Sequence, residues 1–289
     1  MIDKLHHDQP AMNIREACQS LGVSPAGYYA HRHKGQRPRC TGDAVLSLKI
    51  TAAFDASRHT YGSPRIMHAL RGEGARHGKN RIARLMRSEG LHVQQKRRFV
   101  PRTTIADQNS PVSPNHLLEH PDPTGLNEVW LTDITYIPTA EGFLYLAAEL
   151  DLCSRRIIGW STHRSLATGL ATEALERALQ ARPAATLAEL LHHSDRGCQY
   201  TSAAFRKRLE LSEITQSMSR KGNCYDNAAM ESFWATLKAE CFGSNIPATR
   251  AQAHLMIFDY IETFYNPLRL HSSLSFQSPV NFEKSIQPN

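Results

Sequence analysis

The sequence predicts an α/β core, a mixed five-stranded sheet with flanking helices, preceded by all-α modules of helix-turn-helix character. Three observations predict it. From Asn127 onward, β-branched and apolar runs appear in the order three strands, helix, strand, helix, strand, helix. Before that point, apolar residues recur at helical spacing between Gly and Pro punctuation. Charge divides along the same line. Residues 1–120 carry 19 Lys and Arg against 9 Asp and Glu, whereas residues 121–289 carry 15 against 18. A basic first part is the electrostatic footprint of a polyanionic partner.

The first helix runs from Ile14 to Leu21, with Ile14, Ala17, Cys18 and Leu21 on one face and Gly22 at its end. Ser24-Pro25 starts a second helix through Tyr28, Tyr29 and Arg32, giving a helix-turn-helix over residues 13–33. A Gly/Pro/Arg-rich linker follows at 34–42. Residues 43–57 read as an amphipathic helix with Val45, Leu48, Ala52 and Ala53 inward. Ser63 caps the next helix, through Leu70. Lys79–Arg87 is another, with Ile82, Leu85 and Met86 as its apolar stripe and Arg81, Arg84 and Arg87 along another side. These arginines are candidate phosphate contacts, as are Lys96, Arg97 and Arg98 at the start of an extended polar, Pro-rich linker. Gly74–Asn80 has neither the spacing nor the preceding strand of a phosphate loop, which excludes an ATP site there.

In the second part, 128–137, 143–152 and 156–162 are strands joined at Glu141-Gly142 and Ser154-Arg155. A helix over 166–182 precedes a fourth strand in 187–195. Ala203–Leu211 is a helix capped by Thr201 or Ser202, 213–218 is a fifth strand and 227–242 a long helix. This order is that of the ribonuclease H-like fold. The expected divisions are 1–42, helix-turn-helix and linker; 43–100, a second DNA-binding module; 101–124, linker; 125–245, catalytic core; and 246–289, a carboxy-terminal helical segment.

Three carboxylates stand out. Asp133 interrupts an apolar strand, Asp195 ends a short apolar run, and Glu231 lies in the first turns of the last core helix. Sixty-one residues separate the first two and 35 the last two. A carboxylate in such a setting is costly unless paired or bound to a metal. Three that converge make a hard-oxygen site for Mg²⁺ or Mn²⁺, and two ions would suit phosphoryl transfer on DNA. Helical phase supports this. Met230, Phe233, Leu237 and Cys241 form an apolar stripe, while Asn227, Glu231 and Lys238 lie about 100° away.

The segments WLTDITYI, LDLCSRRIIGWS, HHSDRGCQYTS, KGNCYDNAAMESFWATLKAE and YIETFYNPLRLHSSL resemble the integrase core of bacterial insertion-sequence transposases, in particular the second-frame product of the IS-three family. The resemblance spans residues 10–285. It implies that Asp133, Asp195 and Glu231 are the catalytic, metal-binding triad of a DNA transposase. It implies that Lys238 contacts the element's terminal DNA and that Asn227 orients Glu231 or DNA. It also places the carboxy-terminal segment beside DNA, which makes Arg269 a binding candidate. His192 and His193 are expected to be structural or DNA-facing, and Asp151 a capping residue more than a fourth ligand. The implied partners are terminal-repeat and target DNA, a homo-oligomer on paired ends, and an upstream first-frame protein, joined by frameshifting. No heptad coiled coil is present in the sequence to supply multimerisation.

None of the six cysteines, Cys18, Cys40, Cys153, Cys198, Cys224 and Cys241, has CxxC spacing, so they read as scattered reduced thiols rather than a zinc or redox motif. The opening residues do not read as a signal peptide and no apolar run reaches membrane-spanning length, so the expected location is the bacterial cytoplasm, at the nucleoid. Two other readings share parts of the pattern. A DNA-binding regulator with an inactive core would keep the helical modules, and a ribonuclease H-like nuclease would keep the chemistry.

Overall fold

The computed structural model describes residues 2, 12–32, 38–93, 113–118, 120–220 and 227–286, and divides into two units, Met1–Val93 and Gln94–Asn289.

The first unit is all helix. Helix α1 (Ile14–Ser20) is held by a capping box in which Asn13 accepts from the Glu16 amide and Glu16 accepts from the Asn13 amide. It buries Ala17 and Cys18. Gly22, at φ +64°, turns the chain into α2 (Pro25–Arg32), where Tyr28 is buried. Helices α3 (Pro38–Ala56), α4 (Ser63–Gly72) and α5 (Lys79–Ser88) share a second core of Leu46, Ile50, Phe54, Ile66, Leu70, Ile82, Leu85 and Met86.

Here the sequence reading needs three corrections. The inward face of α3 is Leu46, Ile50 and Phe54, while Val45 and Leu48 are 54% and 73% exposed. Residues 46, 50 and 54 recur every four positions and carry the bulkiest side chains, so they fill the groove between α4 and α5 better than the smaller set containing Ala52 and Ala53. Helix α3 also begins at Pro38, inside the expected linker, because proline suits a first helical turn. Ser63 is the first residue of α4, not its cap. Gly62 occupies that position and no side chain caps the helix.

The second unit is a sheet of order β3-β2-β1-β4-β5. Strands β1 (Val129–Thr139), β2 (Gly142–Asp151) and β3 (Ile157–His163) form an antiparallel meander. Strands β4 (Leu191–Ser194) and β5 (Thr215–Met218) run parallel to β1. This is the ribonuclease H-like arrangement that the element order implied. Within the span 187–195 expected to hold the fourth strand, β4 itself begins at Leu191; Leu187 and Leu190 precede it and are buried in the core, the Leu190 carbonyl accepting from the Thr215 amide of β5 at 3.0 Å.

Helix α6 (Thr168–Ala181) crosses one face. It comes so near β3 that a methyl group on Gly159 would sit 2.3 Å from the Ala174 carbonyl oxygen and 2.5 Å from the Ala178 nitrogen. Short helix α7 (Cys198–Thr201) and α8 (Ala203–Leu211) lead to β5, α8 capped by Ser202, whose hydroxyl accepts from the Phe205 amide. Helix α9 (Ala228–Leu237) packs on β1 and widens into a π-helical turn, Lys238–Phe242. Helix α10 (Arg250–Phe258) likewise continues as a π-helical segment, Asp259–Tyr265, and α11 (Pro279–Ile286) closes the unit. Glu283 of α11 receives hydrogen bonds from Ser154 at the β2–β3 turn and from Arg156 and Arg182. Burial works against its charge, but Arg182 and Arg156 hold its carboxyl below the usual range.

Candidate active site

The site is built where β1 outruns its neighbour. Strand β1 pairs with β4 only through Val129↔Leu191, Trp130↔His192 and Leu131↔His193. Two residues further along each chain come Asp133 and Asp195. Asp133 is still within β1, whereas Asp195 lies one residue past the end of β4, and its charge is near enough to act on Asp133. The Asp195 turn is tight. Its Oδ1 accepts from the Gly197 amide at 2.8 Å, and a methyl group on Gly197 would press to 2.9 Å from that oxygen. A larger residue at this position would have to push the Asp195 carboxylate aside.

Helix α9 supplies the third side. Asn227, Glu231, Trp234 and Lys238 follow one another at four, three and four residues, the spacing of one helix face. Three of the four touch β1. Asn227 Nδ2 donates to the Thr132 carbonyl at 3.2 Å, Trp234 Nε1 donates to Asp133 Oδ2 at 2.9 Å, and Lys238 Nζ lies 5.1 Å from the centre of the Tyr136 ring. Glu231, between Asn227 and Trp234 on that face, is exposed at the mouth of the site.

Electrostatics agree with the geometry. Asp133 is pushed up to about 7, by burial first, then by the negative charge of Asp195 and, to a lesser degree, Glu231; its hydrogen bonds from Ile134 and Trp234 oppose the rise. Burial also lifts Tyr200 well above its ordinary range, and Asp133 and Asp195 add to it. The Tyr200 hydroxyl lies 3.3 Å from Thr132 Oγ1, directly behind the site. Lys238 is drawn down by burial, with Asp133 pulling the other way. Three carboxylates thus share one mouth. Such hard oxygen donors, two of which raise the pKa of the third, suit a divalent cation. Among the described residues no group of three or more His, Cys, Asp or Glu side chains is placed to hold a metal ion.

Other expected residues fall elsewhere. His192 and His193 are fully buried; His192 Nε2 meets Glu149 at 2.9 Å, and His193 bonds Ser217 and Ser219. Asp151 caps two turns by accepting from the Asn127 and Ser154 amides. Arg269 is a correction. It is 3% exposed and grips Glu240 with two hydrogen bonds of 2.7 and 2.6 Å, so its guanidinium faces the fold and not DNA. Asn227 is likewise turned to the Thr132 carbonyl and is buried, which leaves it to anchor the helix of Glu231 and not to meet DNA. Arg81 and Arg84 both pair with Asp43, at 2.7 and 2.6 Å, while Arg87 is exposed. Lys96, Arg97 and Arg98 lie outside the described residues, as do Cys224 and Asp226. Cys18, Cys153 and Cys198 are reduced thiols, and the Cys241 thiol donates to the Met256 carbonyl at 3.5 Å.

Trp234 was not singled out from the sequence. The available signal was its place on the Asn227–Glu231–Lys238 stripe, because a buried indole N–H needs an acceptor.

Family models described as integrase core domains match residues 123–224 and 212–279, and one described as a helix-turn-helix-like domain matches residues 42–99. The chain is 37% identical over 277 residues to transposase InsF of insertion sequence IS3A from Escherichia coli strain K12, 95% of each chain. It belongs to the IS3-family transposases. A second relative, the uncharacterized 31 kDa protein of insertion element IS600 from Shigella sonnei, is 42% identical over 92% of this chain and 97% of its own. Among solved structures, a chain of the simian T-cell lymphotropic virus intasome is similar at 14% identity and a TM-score of 0.47, over 77% of this chain and 72% of that one. The HTLV-2 integrase catalytic core in complex with magnesium reaches 0.39 over 54% and 96%. As a transposase with an integrase core, the chain is a polynucleotidyl transferase acting on DNA. Among the described residues no helix is long and apolar enough to cross a membrane.

Proposed function

We propose that this transposase cuts and joins insertion-element ends by metal-dependent phosphoryl transfer, with Asp133, Asp195 and Glu231 as its catalytic and metal-binding carboxylates. The observation that carries the reading is the convergence of Asp133 on β1 with Asp195 just past the end of β4, both charges acting with Glu231 at one place, beside the helix α9 that bears Glu231 and donates to Asp133. These residues would hold Mg²⁺ or Mn²⁺, two ions in the fullest form. Bound there, the metal polarises a phosphate oxygen and makes the attacking hydroxyl more acidic.

The protein's own groups then do the rest. Lys238, half-buried and one helical repeat beyond Glu231, holds a phosphate of the terminal strand. Glu231 accepts the proton of the nucleophile, a water for cleavage or a DNA 3′-hydroxyl for joining. One P–O bond forms as the opposite one breaks, and the leaving 3′-oxygen departs in line, with no covalent enzyme intermediate. Buried Asn227 keeps α9, and hence Glu231, in register with Asp133. Exposed Arg87, the pairs Arg81 and Arg84 around Asp43, and Lys96, Arg97 and Arg98 are proposed to track the DNA backbone. The five-part division of the chain given above is part of this proposal, as are the paired-end multimer, the upstream first-frame partner and a nucleoid location.

The test is strand transfer with a labelled element-end duplex and Mg²⁺, for the wild type and Glu231→Gln, with and without the upstream protein. Joined products from the wild type alone support the reading. DNA binding without cleavage by the wild type under every condition replaces it with a DNA-binding regulator, and cleavage of RNA in a hybrid replaces it with a ribonuclease.

A further inference from the structure

We propose that Trp234 is the positioning residue of Asp133, orienting this carboxylate for a divalent ion, and that its indole N–H reports the ion's arrival. The inference rests on the phosphoryl-transfer reading above and deepens it.

Asp133 has two hydrogen-bond donors from two different elements. Its Oδ1 accepts from the Ile134 amide of its own strand at 2.8 Å, and its Oδ2 accepts from Trp234 Nε1 of α9 at 2.9 Å. One donor alone leaves the carboxylate free to rotate about that bond. Two fix the plane of the group. Each carboxylate oxygen has two lone pairs, so each retains one for a metal.

Something must fix that plane, because the neighbours push against it. Asp195 and Glu231 repel Asp133 electrostatically, and an unheld carboxylate would turn away from them. The bond to Trp234 opposes this rotation from the helix that also carries Glu231, three residues earlier. One helical turn therefore supplies a carboxylate to the site and the donor that orients another.

The indole is itself held. Trp234 is 6% exposed, and its ring lies 4.9 Å from Phe233, which meets Tyr265 edge-on at 4.9 Å. Tyr265 donates to the Arg155 carbonyl at 3.1 Å at the β2–β3 turn. The carboxy-terminal segment thus braces the indole through a row of rings. A donor fixed in this way costs no ordering when the ion binds.

The test uses Trp234→Phe, which keeps an aromatic ring in the packing and removes only the N–H donor side. Mg²⁺ and Mn²⁺ binding to the full chain is measured by calorimetry. The indole N–H resonance of Trp234, assigned by its loss in the variant, is followed during a Mg²⁺ titration. The expected result is a shift of that resonance that saturates with the calorimetric isotherm, and metal affinity weakened on the order of ten- to a hundredfold in the variant. Strand transfer in the variant should need more Mg²⁺ by a similar factor, so its half-saturating metal concentration rises together with the calorimetric dissociation constant. Equal affinity in the variant, or a wild-type resonance that ignores a metal the protein binds, overturns the positioning role and leaves the active-site reading standing. A wild type that binds neither ion overturns both. If the variant does not fold, the Trp234 resonance is assigned by elimination from Trp130→Phe and Trp160→Phe, and its response to Mg²⁺ in the wild type decides.

Discussion

Replacing Asp133 by Asn should make the metal-free protein more stable at alkaline pH while abolishing strand transfer. Asp133 is pushed from 3.8 to about 7 by burial and by Asp195. At about 1.4 kcal/mol per pH unit, the ionised side chain costs the folded state roughly 4 kcal/mol above pH 8. Below pH 3.8 the group is protonated in both states and costs nothing. Between about pH 4 and 7 the folded state keeps a proton that the unfolded state has lost, so wild-type stability falls as pH rises and then levels off. At pH 5 the penalty has reached only roughly 1–2 kcal/mol by the same relation. Asparagine carries no such penalty. Its Oδ1 still accepts from Ile134, but its amide faces the Trp234 N–H donor to donor, a loss of about 1–3 kcal/mol. The variant should therefore gain roughly 2 kcal/mol over the wild type at pH 8, and nothing at pH 5. Urea unfolding in EDTA at the two pH values measures both differences. Mg²⁺ should then stabilise the wild type and not the variant. A variant no more stable than the wild type at pH 8, or one stabilised equally at both pH values, would refute the claim that Asp133 is held ionised at a cost.

Gly197→Ala should reduce strand transfer with little loss of DNA binding, because its methyl group would displace the Asp195 carboxylate at 2.9 Å; metal affinity and product yield read it. Gly159→Ala should lower the melting temperature without touching the site, since backbone atoms of α6 at 2.3 and 2.5 Å cannot yield, and about 1–3 kcal/mol or more is lost. Arg269→Met should destabilise by about 3–5 kcal/mol by stranding Glu240, yet leave the salt dependence of DNA binding unchanged; a flatter salt slope would restore Arg269 as a DNA contact. In the amino-terminal unit, Leu46→Ala should cost about 2–5 kcal/mol and Leu48→Ala less than about 0.5 in urea unfolding, the reverse of what the apparent amphipathic face predicts.

The amino-acid sequence by itself determined the succession of elements in the core. β-Branched runs such as Ile134–Ile137 and the punctuation at Glu141-Gly142 and Ser154-Arg155 are local signals, and local propensity is enough where strands are joined by tight turns. It also determined which carboxylates to watch, because Asp133 and Asp195 break apolar runs where an unpaired charge is costly. The phase of Asn227, Glu231 and Lys238 followed from helical geometry alone.

Tertiary structure decided what local pattern could not. On α3 two apolar faces compete within one helix, and only the shape of the groove formed with α4 and α5 selects Leu46, Ile50 and Phe54. Arg269 and the arginines of α5 are equally cationic in sequence. Whether an acidic partner lies within reach depends on residues 29, 38 and 41 positions away, Glu240 for the first and Asp43 for Arg81 and Arg84. The bond from Trp234 to Asp133 spans 101 residues and exists only because α9 lies across the overhang of β1. Propensity and periodicity act over one or two turns of chain. Burial, pairing and pKa are set by whatever the fold brings alongside, and the electrostatic character of this site lives at that longer range.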